Sequence, residues 1–189
     1  LDNVKKAVSS GWKNINDEIW IIGSRDSELT LGATSYLEYF HGQVTGRPPS
    51  LNLVDEKLCQ LFIRNGILNN LIISSHDISD GGLAIALAEA CILSEKGASI
   101  NLIGEERKDN LLFSEGGSRI IFSIPHLKKN EWLKFVSEES KNFTDSIYVT
   151  KIGTVSQDRL NIKFMDNIFC DLKISTLADK FNNGLSNNF

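Results

Sequence analysis

The sequence reads as an α/β (α+β) sandwich, a mixed β-sheet with helices packed on a face, and three observations point there. Short β-branched and aromatic runs alternate with segments whose apolar residues recur at intervals of three and four. Between residues 71 and 102 a strand, a glycine loop, a helix and another strand follow one another. The 189 residues are 41% hydrophobic and 23% charged, an ordinary globular composition in a chain long enough for one core.

Glu18 to Gly23 (EIWIIG) is an apolar run closed by glycine, the pattern of a buried strand. Residues 31–40 place apolar and aromatic side chains at 33, 36, 37 and 40, a helical spacing that Gly32 and Thr34 weaken. The stretch 41–50 holds Gly42, Gly46, Arg47, Pro48 and Pro49. Proline removes a donor and drives its predecessor out of the helical region, so this is a rigid connector. A helix follows with Val54, Leu58, Leu61 and Phe62 on one face, Asp55, Glu56 and Lys57 on the other, and Gly66 as its stop. Then come a strand at 71–74, a polar loop, a helix from 82 to 94 and a strand at 98–102. A right-handed crossover would let those two strands pair in parallel. The remainder reads as a strand at 119–124, a helix at 127–139, strands at 147–155, 161–164 and 168–172, a short helix at 177–181 and a polar tail. Trp12, Trp20 and Trp132 are expected in the core or an interface, and His41 and His126 at the surface or at caps.

Composition excludes several functions. Twenty Lys and Arg against 24 Asp and Glu leave a net charge of -4 with no basic stripe, so no nucleic-acid partner is expected. The most apolar helical stretch, Leu83 to Leu93, is broken by Glu89 and is far shorter than the roughly 20 residues that span a bilayer, so no membrane is expected either. Cys59, Cys91 and Cys170 fit neither a disulfide framework nor zinc spacing and read as small buried side chains. A cytoplasmic location follows from that usage. The opening LDNVKKAVSSGWKN has no initiator Met and no apolar signal core, and is expected to continue from a longer protein.

Two stretches carry candidate chemistry. In SSHDISDGGLAIALAEA (74–90) a strand delivers His76, Asp77, Ser79 and Asp80 to a loop, and Gly81 and Gly82 open a helix. Backbone N–H groups at such a start can bind an anion, and a carboxylate beside them can hold magnesium. Equally, Ser79 and Asp80 are good helix caps and the glycines could only permit a turn. A hydrolytic triad of His76, Asp77 and Ser79 is disfavoured, because neighbours in a tight loop point apart. In LLFSEGGSRIIFSI (111–124), Glu115, Ser118 and Arg119 precede a strand and could form a polar cleft wall; the competing reading is an internal Glu115–Arg119 ion pair.

LGATSYLEYFHG, GRPPSLNLVDEK, HDISDGGLAIALAEA and LFSEGGSRIIFSI, taken together, occur in the order and spacing of the phosphoribosylformylglycinamidine synthase family, the amidotransferases of purine biosynthesis. The resemblance runs from about residue 17 to about residue 176. Relatives of that family include aminoimidazole ribonucleotide synthetase, selenophosphate synthetase, thiamine monophosphate kinase and a hydrogenase maturation factor; the GRPPSLNL turn and HDISDGGL loop favour the synthase.

The resemblance implies a C-terminal α/β domain from the second half of a duplicated ATP-dependent ligase. Residues 1–28 would close the preceding ATP-binding domain and its linker, 29–176 would form the C-terminal domain, and 177–189 a helix and tail. It implies magnesium at Asp77, nucleotide contacts at Ser79, Asp80, Gly81 and Gly82, and a substrate or cleft wall from His76, Glu115, Ser118 and Arg119, with ATP or ADP as the nucleotide. Gly116 and Gly117 stand where relatives carry a polar or small residue after the Glu, so side-chain contacts there are lost. The family's catalytic histidine lies in domains outside this chain, so no catalytic residue is expected here and the chain alone should be inactive. The implied partners are the upstream domains and a glutaminase subunit or domain. Self-association through the apolar face of 19–22 would follow if that strand lacked sheet partners. The alternatives are a purely structural module, or a relative acting on selenide or thiamine monophosphate.

Overall fold

The computed structural model describes residues 4–24 and 29–184. Seven strands, β1 (Glu18–Ser24), β2 (Ser74–Asp77), β3 (Gly97–Leu102), β4 (Arg119–Ile124), β5 (Ile147–Ser156), β6 (Arg159–Phe164) and β7 (Asn167–Lys173), form one mixed sheet in the order β2-β4-β1-β5-β3-β6-β7. Its helices are α1 (Ser35–His41), α2 (Leu53–Leu68), α3 (Gly82–Ser94), α4 (Lys108–Phe113), α5 (Lys129–Glu139) and α6 (Ile174–Asn183).

Side-chain alternation along β1 explains why helices cover both faces of the sheet and not one. Ile19 and Ile21 join the core beneath α3 with Leu83, Leu87 and Cys91, while Trp20 and Ile22 join a second core with Phe62 of α2 and Trp132 of α5. The aromatic centre of that second core is tightly connected, with the Trp132 ring 5.5 Å from Trp20, 5.7 Å from Phe62 and 5.3 Å from Phe122. Because β1 is hydrogen-bonded to β4 on one side and β5 on the other, Ile19 to Ile22 are buried. The exposed strand face on which self-association was expected is therefore absent.

Several boundaries move for physical reasons. Thr34 is the N-cap of α1, its hydroxyl accepting from the Leu37 amide, so the helix starts after the residues that weakened its prediction. Gly66 lies inside α2, where a Cβ would meet Ile72 at 2.5 Å; close packing, and not helix termination, explains it. β2 begins at Ser74, which places His76 and Asp77 on the strand. Helix α4, six residues without a clear apolar period, is absent from the sequence reading. β2 and β3 do not pair: β4, β1 and β5 lie between them, and the parallel partner of β3 is β6. Residues ahead of β1 also pack here, Trp12 being 2% exposed with its indole N–H donating to Cys91 Sγ at 3.3 Å.

Candidate functional site

The pairings set the C-terminal ends of β1, β2 and β3 at the same edge of the sheet as the starts of β4 and β5. Both candidate loops, 77–82 and 114–119, therefore meet there.

In the first loop Ile78 is the anchor. It is buried, and its amide donates to the Arg119 carbonyl at 3.0 Å. The flanking Asp77 and Ser79, with Asp80, consequently point outward and are exposed. His76 turns the other way: its Nε2 lies 2.9 Å from Glu89 Oε2 on α3, so it braces strand to helix and is not a cleft wall.

The glycines do two things. Gly81 and Gly82 have φ of 77° and 70°, and a Cβ on Gly82 would fall 2.7 Å from the Leu112 carbonyl oxygen. Left-handed backbone and close approach of α4 thus both require glycine. No side chain of the loop caps α3; its N-cap is Gly81. Instead Glu115 Oε1 accepts from the Gly81 amide at 2.7 Å and from the Ser35 amide of α1 at 2.9 Å. The Gly82 amide donates to Ser79 O at 3.0 Å. One carboxylate from the second loop therefore holds two helix starts, and the two glycine amides expected to face a phosphate are already engaged within the chain.

That bond also dissolves the proposed Glu115–Arg119 pair. Arg119 is 2% exposed and donates to the carbonyls of Ser114, at 2.5 Å, and Gly116, at 3.5 Å. Burial lowers its pKa, with the nearby Tyr148 hydroxyl opposing. Ser118, buried and at φ 59°, donates to Glu56 Oε2 at 2.8 Å. Ser118 and Arg119 thus shape the loop from inside and do not line a cleft.

Beside the loops lies an open groove of about 790 Å³. It forms where β3 leaves β5: their pairing ends at Ile100↔Gly153, and β3 continues on β6 alone. Leu83, Leu111, Ile152 and Tyr148 supply apolar walls, with Asn101, Glu106 and Lys151 as polar groups. Asp77, Ser79 and Asp80 stand outside its lining. Sequence reading missed the groove because its walls come from strands far apart in the chain.

Asp55 was also missed. Placed on the polar face of α2 by periodicity, it is fully buried and accepts from Ser24 Oγ at 2.5 Å, Ser146 Oγ at 2.6 Å and Thr144 Oγ1 at 2.8 Å. Burial would push its carboxyl up, but the three hydroxyl bonds together hold it below its ordinary value of 3.8. The thiols of Cys59 and Cys91 are pushed up to about 12, chiefly by burial, which leaves them unreactive.

Among the described residues no group of three or more His, Cys, Asp or Glu is gathered as a metal cage. Asp77, its side chain 76% exposed and its Oδ1 3.5 Å from His76 Nδ1, could give a magnesium ion no more than one carboxylate. No described helix is long and apolar enough to cross a membrane.

Residues 14–161 match the family described as AIR synthase related protein, C-terminal domain. The phosphoribosylformylglycinamidine synthase subunit PurL of Prochlorococcus marinus strain MIT 9301 is 58% identical over 190 residues, which cover 100% of this chain and 24% of that subunit. The chain thus spans about a quarter of the curated relatives it matches. Among solved structures, Thermotoga maritima PurL complexed with FGAR superposes with a TM-score of 0.72 at 15% identity, over 93% of this chain and 30% of that one. The same protein complexed with ATP gives 0.70 at 15% identity, over 93% and 28%. At that identity the likeness concerns the fold.

Proposed function

Since the chain belongs to the AIR synthase related family, matching its C-terminal domain, we propose that it is the C-terminal domain of the second half of a phosphoribosylformylglycinamidine synthase. The whole enzyme would convert formylglycinamide ribonucleotide, ATP and glutamine-derived ammonia into formylglycinamidine ribonucleotide, ADP and phosphate in the cytoplasm. Upstream domains of the same enzyme and a glutaminase subunit or domain would be its partners. In this reading the body begins ahead of the expected residue 29, because β1 is hydrogen-bonded between β4 and β5 and Trp12 is buried against Cys91, and residues 177–189 close it.

The observation that carries the role is the outward presentation of Asp77, Ser79 and Asp80 from a buried Ile78, at the edge of the sheet where the two candidate loops meet. Asp77 would hold magnesium, which supplies positive charge against a nucleotide's phosphates, and the Ser79 hydroxyl would donate to a phosphate oxygen. Glu115 keeps the loop in place through the Gly81 amide. Phosphoryl transfer needs charge stabilisation from both walls of a cleft, and this chain supplies one, so no catalytic residue is assigned to it.

The test is ammonia- and ATP-dependent formation of formylglycinamidine ribonucleotide. The full-length protein is expected to turn over and the purified 189-residue chain is not. Failure of the full-length protein on that substrate, or turnover by the chain alone, overturns the reading. The engaged amides of Gly81 and Gly82 favour one second reading, a structural module whose loop binds nothing. Nucleotide binding by an Asp77 variant of the full-length enzyme separates the two.

A further inference from the structure

Helix α1 carries Tyr36, Leu37, Tyr39 and Phe40 within seven residues, yet none of its residues is buried. Tyr39 is 86% exposed and Phe40 67%, and the following connector and first turn of α2 add Val44 at 79% and Leu53 at 73%. The tethers that hold α1 to the domain are short. Its first amide donates to Glu115, and the Tyr36 ring stacks on Phe113 with centroids 4.6 Å apart. Scattered exposed apolar residues need no explanation, but large aromatic side chains concentrated on one such element mark an interaction face.

We propose that the aromatic face of α1 seats another domain of the same, longer polypeptide, which thereby closes over the 77–82 loop. This rests on the reading of the chain as one domain of a synthase, and two observations select that occupant. Relatives that match this chain along its whole length carry about three quarters of their own length outside it. In addition, α1 is tied through Glu115 to Gly81, the neighbour of exposed Asp80. A second copy of this chain seated on the same face is the competing occupant, which the test below separates.

The test uses the full-length protein with Tyr39 replaced by the photo-cross-linker p-benzoylphenylalanine, and separately a Tyr39→Cys variant; exposure of the side chain keeps both substitutions out of the core. Irradiation is expected to join position 39 to peptides of the same polypeptide outside this domain. The thiol of Tyr39→Cys is expected to react with maleimide about tenfold more slowly in the folded enzyme than in urea, since contact protects it. Cross-links between two copies overturn the proposal, as does maleimide reaction as fast as in urea with no cross-link. Because the readout is peptide mass, it can fail while synthase turnover succeeds, and the reverse.

Discussion

Glu115 reaches two helix starts with one oxygen, at 2.7 and 2.9 Å, and sits where sequence reasoning placed a phosphate. Its backbone-amide partners are 34 and 80 residues away, which is why only the residue's chemistry, and not its target, was legible. Glu115→Ala leaves both amides without that acceptor and is expected to cost about 1–3 kcal/mol in urea denaturation. Hydrogen exchange should accelerate at Ser35 and Gly81, while unchanged exchange at both would show that the carboxylate does not hold them. Asp55 is one of the carboxylates that make stability depend on pH. Its folded-state pKa lies below its ordinary value, so its contribution is present at neutral pH, above the unfolded value, and is lost as pH falls through the folded one. Asp55→Asn is therefore expected to be less stable than wild type at pH 7, and the gap should narrow below about pH 4, where the wild-type carboxyl takes up its proton. A gap independent of pH would assign the buried site to packing alone.

At the level of elements, strands were the more readable. β4 falls where its apolar run placed it, β1, β3 and β5 differ from expectation by a residue at one end, since apolar β-branched runs are local signals, and β2 lies three residues later than expected. Helix α3 also starts at Gly82 as read, but for a different reason: its start is set by glycine backbone and a distant carboxylate, and not by Ser79 or Asp80 as caps. Gly82→Ala tests that cause. Its left-handed φ of 70° and the 2.7 Å approach to Leu112 O leave no room for a methyl group, so unfolding free energy should drop by about 3 kcal/mol. A loss under about 0.5 kcal/mol would mean that the turn relaxes freely. α4 went unread because a single turn and a half of helix has no period to detect, and its backbone is what Gly82 accommodates.

For the molecule as a whole, one-dimensional patterning conveyed the layers but not the strand order. Alternation in β1 explains the two cores, whereas the three strands between β2 and β3, and the groove opened where β3 abandons β5, depend on pairings between segments distant in the chain. The same distance hid Asp55 and the inward turn of His76, Ser118 and Arg119. The nucleotide wall proposed for the acidic loop rests on Asp77, Ser79 and Asp80, all three of them exposed. Equilibrium dialysis of ADP with magnesium against the full-length enzyme and its Asp77→Ala variant bears on that loop without passing through the rest of the fold, because the Asp77 side chain is 76% exposed. The variant is expected to bind one ADP fewer per chain at unchanged thermal stability; equal stoichiometry and equal affinity in the two proteins would contradict a nucleotide wall at this loop.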